Sequence, residues 1–200
     1  PGVLPPQANR GGIRAAIQTV FQDAVRRGTV VTASAGNAGG NLQQGGGFSL
    51  PNSVPAAFNV SATGPNDELV FYSNYGTNEI DVAAPGGGYE TEAKTFATDT
   101  AFPFPTNLVF TTYPLELNGY TYIAGTSFSA PQVAGVAALV RELELDANPS
   151  RVERAIQKGA EGANGKSDPE FGAGIVNALN TVESVSKGNG NGNGNTEKWN

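Results

Sequence analysis

The stretch Ala124-Gly125-Thr126-Ser127-Phe128-Ser129-Ala130-Pro131-Gln132-Val133-Ala134-Gly135 decides how the rest of this chain is read. Its Gly-Thr-Ser triplet stands directly before an apolar series at Val133, Val136, Ala137 and Val140, spaced as one helix face. That spacing predicts a helix from near Ser127 to about Leu143. Pro131 falls in or near its first turn, where few hydrogen bonds are lost. A serine held by a tight glycine turn at a helix N-terminus sits among unpaired backbone N–H groups. Those donors can stabilise an oxyanion that develops beside the hydroxyl. Taken alone, the triplet fits a plain N-cap as well, because serine is a favoured capping residue.

Working outward, the upstream segment alternates helix and strand. Ile13, Ile17, Val20, Phe21 and Ala24 recur with helical spacing from Ile13 to Ala24. Arg26 and Arg27 suit the helix C-terminus, and Gly28 is a stop signal. Thr29-Val30-Val31-Thr32-Ala33 then reads as a buried strand entered straight from a helix, the pattern of a parallel α/β sheet. Residues 36–55 read as loop, and Phe58–Thr63 and Ile80–Ala83 as further strands. Residues 86–106 show little periodicity and predict a long surface excursion. Leu108–Tyr113 and Tyr120–Ile123 predict two strands joined by a turn around Asn118-Gly119.

Downstream, Ser150-Arg151-Val152-Glu153 reads as a capping box that opens a helix after Pro149. A last helix is expected from Ile175 to about Val185. Beyond it, residues 187–195 alternate Gly and Asn after a lysine, which predicts a flexible tail or linker with nothing to bury. The N-terminal Pro1–Pro6 reads as loop and not as a signal peptide, so a chain opening in mid-loop reads as a fragment.

Composition narrows the function classes. The chain has 200 residues, 38% hydrophobic and only 15% charged, with 18 acidic against 12 basic residues and a net charge of −6. Nucleic acid and anionic membrane surfaces demand a basic footprint, so neither is the expected partner. There is no cysteine and no histidine. Disulfides, thiolate nucleophiles, Cys- or His-ligated metals and any Ser-His pair within this chain are thereby excluded. No apolar run approaches the ~20 residues of a membrane-spanning helix.

Four segments resemble those of the subtilisin-like serine proteases, the subtilases, and they occur in the family's order. The first is Val30-Val31-Thr32-Ala33-Ser34-Ala35-Gly36-Asn37. The second is Tyr72-Ser73-Asn74-Tyr75-Gly76, followed by Ile80-Asp81-Val82-Ala83-Ala84-Pro85-Gly86. The third is the Gly125-Thr126-Ser127 run, and Phe171-Gly172-Ala173-Gly174-Ile175-Val176-Asn177-Ala178 closes the series. The resemblance covers about Ile13 to Val185. It implies an α/β, subtilisin-like three-layer fold with a mostly parallel central sheet flanked by helices, here only its C-terminal portion. Residues 1–186 would form that portion and residues 187–200 the tail.

By the same resemblance Ser127 is the nucleophile of peptide-bond hydrolysis through an acyl-enzyme. The Asn37 side-chain amide would donate to the oxyanion, with the Ser127 N–H as its partner. A carboxamide suits that task, because it donates to negative charge without ionising; alone, Asn37 fits a loop asparagine that bonds its own backbone. Ser34, Ala35 and Gly36 would form one wall of the primary specificity pocket. Glu79 and Asp81 stand two apart, on one face of a strand. Subtilases often bind calcium near the equivalent region, so a structural calcium is compatible with the resemblance, although the pair reads first as solvated surface charges. No residue is assigned to a metal, and no cofactor is required for the chemistry.

The chain also departs from the family. Subtilases order their triad Asp, His, Ser, and neither the Asp nor the His motif occurs here. Without a base a serine hydroxyl is a weak nucleophile, so the chain alone is expected to be inactive. Gln132 stands where the family commonly has histidine, at a structural position, and the length between Gly86 and Tyr120 suggests a loop insertion. The implied partners are a peptide or protein substrate and the N-terminal half of the catalytic domain. Two alternatives stand beside the protease: a non-catalytic subtilase-like module, and a sedolisin-type serine-carboxyl peptidase, whose oxyanion donor is an aspartic acid where this chain has Asn37. Family resemblance alone points to an extracellular location.

Overall fold

A computed structural model describes residues 3–4, 12–44, 48–88, 107–162 and 167–188. The excursion expected beyond Gly88 (residues 89–106) and the tail beyond residue 188 lie outside the described residues. In chain order the elements are β1 (Val3–Leu4), α1 (Ile13–Arg26), β2 (Thr32–Ser34), β3 (Phe48–Ser49), β4 (Phe58–Thr63) and β5 (Val82–Pro85). They continue with β6 (Val109–Thr112), β7 (Tyr120–Ile123), α2 (Thr126–Leu143), α3 (Pro149–Gly159), β8 (Glu161–Gly162), β9 (Gly174–Ile175) and α4 (Ala178–Gly188).

The central sheet has the order β2-β4-β5-β9-β8. Its first four strands run parallel, with Ser34 beside Val60, Val60 beside Val82 and Ala83 beside Ile175. Only β8 is antiparallel, pairing Glu161 with Ile175. The α/β reading therefore holds, with a mostly parallel sheet and helices packed on it. All six residues of β4 are buried, although Phe58, Val60 and Ala62 alternate with the polar Asn59, Ser61 and Thr63. Asn59 Nδ2 and Ser61 Oγ donate to backbone carbonyls, which lets that second face be covered. Val60 and Val82 from the sheet meet Val133 and Val140 of α2, Val152 and Ile156 of α3 and Val185 of α4 in one core. Burying each such side chain contributes roughly 1.5–3 kcal/mol, so this core fixes α2 against the sheet.

Several local expectations are corrected. The apolar stripe of α1 exists, but none of its residues is buried, and Ile13 and Val20 are each 65% exposed. No described element covers that stripe closely. The first sheet strand is shorter and later than expected, because Val30 and Val31 lie before the ladder, which starts at Thr32 opposite Phe58. The strand β5 is likewise displaced by two residues, to Val82–Pro85. The N-terminal Val3–Leu4 pairs with Phe48–Ser49 instead of forming plain loop.

The capping box is also wrong. Helix α3 starts two residues earlier, at Pro149, and its cap is Asn148 in place of Ser150, with its side chain accepting the Arg151 N–H at 2.9 Å. Pro149 takes the first helical position, where a missing N–H costs nothing. Ile175 belongs to β9, and the last helix begins at Ala178 and runs to Gly188, two residues into the span read as tail. Pro131 lies inside α2 as its sixth residue, so it removes the N–H that would bond the Ser127 carbonyl. The side chain of Gln132 bonds across this first part of the helix, from Nε2 to the carbonyls of Phe128 (2.7 Å) and Pro85 (2.6 Å).

The β6–β7 hairpin forms as expected, with Phe110 opposite Tyr122 and a turn through Asn118 (φ 78°) and Gly119 (φ 75°). It leads directly into α2.

Candidate active site

Parallel α/β sheets gather their functional loops at the carboxyl ends of the strands. Here the carboxyl end of β2 runs into Ala35-Gly36-Asn37, and the end of β5 runs into Gly86. The Gly125 N–H donates to the Gly86 carbonyl at 2.8 Å, which holds the start of α2 beside those strand ends.

The helix begins at Thr126 with Gly125 as its N-cap residue, so Ser127 is the second residue of the first turn and not the cap. Its side chain is exposed, whereas Thr126 is fully buried. The backbone donors of this turn have separate destinations. Thr126 N–H donates to Asn37 Oδ1 at 3.0 Å, and Phe128 N–H to the Gly125 carbonyl at 2.9 Å. The Ser127 N–H has no acceptor among the described residues.

Asn37 lies at the same place. Its Oδ1 accepts a second bond from Thr126 Oγ1 at 2.7 Å, and Thr126 Oγ1 in turn accepts the Gly36 N–H at 3.2 Å. With the oxygen engaged twice, the amide group is fixed with Nδ2 on the other side. Nδ2 lies over Gly125: a β-carbon built there would stand 3.3 Å from it. Asn37 itself is exposed, and its Nδ2 donates to no described residue. The structure thus places the Asn37 amide, its Nδ2 unengaged, against the start of α2, where the Ser127 N–H is also without an acceptor among the described residues.

Ser34, Ala35 and Gly36 also lie here, with Ala35 and Gly36 buried. Their backbone is committed internally. Ala35 N–H bonds the Val60 carbonyl at 2.9 Å, and the Ala35 carbonyl accepts from Asn74 Nδ2 at 2.9 Å and Asn52 Nδ2 at 3.1 Å. This segment can shape a site, but Ala35 has no N–H to offer a ligand.

Two participants were not legible in the sequence. Thr126 sits in the motif, yet nothing in the pattern tells that its hydroxyl clamps Asn37. Asn74 is 1% exposed and bonds the loop around Asn37. An asparagine in a short polar segment gives no sequence signal of such burial.

Glu79 and Asp81 are not a solvated pair on a strand. Both precede β5, and Asp81 Oδ2 accepts the Asn59 N–H at 2.7 Å. Burial pushes the Asp81 carboxyl from 3.8 up to about 6, with the Asn59 bond pulling the other way and the Glu153 carboxylate adding to the rise. The neighbouring carbonyls of Glu79 and Asn52 already accept from Asn59 Nδ2, at 2.9 and 2.8 Å. No group of three or more acidic, His or Cys residues placed to hold a metal occurs among the described residues.

Comparison with known proteins bears on the family and the fold. Over 179 residues the chain is 34% identical to an extracellular protease of Xanthomonas campestris, covering 89% of this chain and 27% of that protein. It is 30% identical to thermitase of Thermoactinomyces vulgaris, covering 84% of this chain and 49% of the relative. The chain therefore spans between about a quarter and a half of these relatives. A crystal structure of a lanthipeptide protease superposes with a TM-score of 0.71 at 30% identity, over 86% of this chain and 55% of the other. The model of the subtilase family, peptidase S8, matches residues 5–174, and the chain belongs to that family.

Proposed function

We propose that this chain supplies the nucleophile and the oxyanion donors of a serine endopeptidase. The observation that carries the proposal is the fixed amide of Asn37, held by Thr126 against the start of α2, where both its Nδ2 and the Ser127 N–H are without partners among the described residues. Ser127 Oγ would attack the scissile carbonyl carbon while a base takes its proton. The carbonyl oxygen would become an oxyanion held by Asn37 Nδ2 and Ser127 N–H. Collapse would expel the amine, which takes the proton back, and leave an acyl-Ser127 ester for water to hydrolyse.

The base and its orienting carboxylate come from outside this chain, which contains no histidine. Ser34, Ala35 and Gly36 would flank the substrate residue before the scissile bond, shaping the pocket by their small size. No step calls on a metal. The name of the Xanthomonas relative supports a location outside the cell.

The test combines this chain with a subtilase N-terminal segment carrying the Asp and His, and follows peptide cleavage and acylation of Ser127. The chain alone should show no measurable cleavage, and the combination should cleave through an acyl-serine. Full activity of Ser127→Ala in the combination would remove the nucleophile assignment. No cleavage by a well-folded combination would favour the non-catalytic module.

A further inference from the structure

We infer that Asn74 is a positioning residue for Asn37: it sets the loop that aims the oxyanion donor. The inference rests on the proposed role of Asn37 and names what holds that residue in place.

Asn37 occupies an exposed loop, and its Oδ1 bonds to Thr126 cannot by themselves fix the backbone on either side of it. Asn74 does so from beneath. Its Oδ1 accepts the N–H groups of Ala38 and Gly40, both at 3.1 Å. Its Nδ2 donates to the Ala35 carbonyl at 2.9 Å, and its backbone N–H to the Gly36 carbonyl at 2.9 Å. One residue therefore ties down positions 35, 36, 38 and 40, the two neighbours before Asn37 and two of the three after it.

The chemistry demands this residue type. The site needs one acceptor for two converging amides and one donor for a carbonyl, both on a short planar group. Leucine has the size and no polar atom; aspartate has the shape, but when ionised it cannot donate to the Ala35 carbonyl. The loop is also sterically set for this packing. Gly39, with φ 62°, lies so near Phe71 that a β-carbon would come within 2.5 Å of the Phe71 carbonyl oxygen. Its own N–H donates to the Tyr72 carbonyl at 2.7 Å. The strip 36–42 is thus laced to residues 71–75, with Asn74 as the side chain that reaches into it.

Loss of Asn74 should therefore act on catalysis through Asn37. A misplacement of ~1 Å can cost on the order of 10²-fold in rate, and the ceiling is the loss of the whole donor, roughly 10²–10³. The test compares Asn74→Ala, Asn74→Asp, Asn37→Ala and the double variants in the reconstituted protease. Asn74→Ala should lower kcat about 10- to 100-fold with KM changed less than about twofold. In the Asn37→Ala background the same substitution should have little further effect, a non-additivity that general destabilisation does not produce. Multiplying losses, or a change confined to KM, would overturn the inference. Should Asn74→Ala fail to fold, the same cycle with Asn74→Asp decides, by the same criteria.

Amide hydrogen exchange on the chain keeps the two readings apart. Asn74→Ala should expose the Ala38 and Gly40 amides while those of β4 stay protected. If the reconstituted wild type does not cleave peptides, the proposed function has failed. The exchange result then decides the positioning role: faster exchange at those two amides supports it, and unchanged exchange removes it.

Discussion

Replacing Asp81 by asparagine should stabilise this chain at neutral and alkaline pH and leave it nearly unchanged in acid. The carboxyl is pushed from 3.8 up to about 6 chiefly by burial, against the opposing bond from Asn59 N–H and with a further push from Glu153. Glu153 is itself shifted upward by burial, with Arg154 opposing. The folded chain therefore holds a proton that the unfolded chain has lost between about pH 4 and pH 6. More protons bound in the folded state mean that stability falls as pH rises through that window. At 1.36 kcal/mol per pH unit, the rise from 3.8 to about 6 corresponds to about 3 kcal/mol by pH 8. Asparagine keeps an oxygen for the Asn59 N–H but must also house an NH₂ group, which offsets ~1 kcal/mol. The net gain should be about 2 kcal/mol at pH 8 and near zero or slightly negative at pH 4. Urea unfolding of wild type and Asp81→Asn at several pH values between 3.5 and 8 reads the difference directly. Carboxyls that do not interact with Asp81 titrate equally in both proteins and cancel, which leaves Glu153 as the one coupled group to control for. A wild-type-minus-variant difference that stays flat across pH 4–6 would refute the reasoning, and Glu153→Gln should move the wild-type step to lower pH.

Asn37→Leu in the reconstituted protease should lower kcat by roughly 10²–10³ with little change in KM, a magnitude that is the measured subtilisin precedent for removing this donor. Steady-state kinetics on one peptide substrate checks it, and a change in KM alone would remove the oxyanion role. Gly172→Ala should destabilise the fold by about 2 kcal/mol or more: its φ is 59°, and a methyl group there would collide with the Asp81 backbone. A thermal melt should show a drop of at least ~4 °C, and an unchanged midpoint would show that this turn relaxes freely.

The fold was legible where burial leaves a simple trace. Phe58–Thr63 alternates apolar and polar residues and proves to be a strand, although both of its faces are buried; Val133, Val136, Ala137 and Val140 keep helical spacing and face the core. Family motifs singled out Ser127 and Asn37, and the structure bonds Asn37 to Thr126, the residue before Ser127. What escaped was long-range polar pairing. Asn74 reaches residues 34–39 positions away, and Thr126 reaches Asn37 across 89. Such bonds have no periodicity. The α3 cap was misassigned because two capping patterns overlap at Asn148-Pro149-Ser150, and only the geometry chooses between them. Asp81 was misjudged because a charged residue before a strand ordinarily faces water, whereas here the segment carrying Glu170 and Phe171 closes over that end of the sheet, with Ser61 Oγ bonded to the Glu170 carbonyl.

The 89-residue separation of Asn37 from Thr126 also bears on how the chain folds. Closing so long a loop is slow and entropically costly, and the contact is rewarded only after β2, β4 and α2 have packed. A nascent or half-folded chain thus contains the serine, but the amide that would steady an oxyanion lies far away. Under the proposed function, the two oxyanion donors would meet only once those distant parts of the chain have packed together.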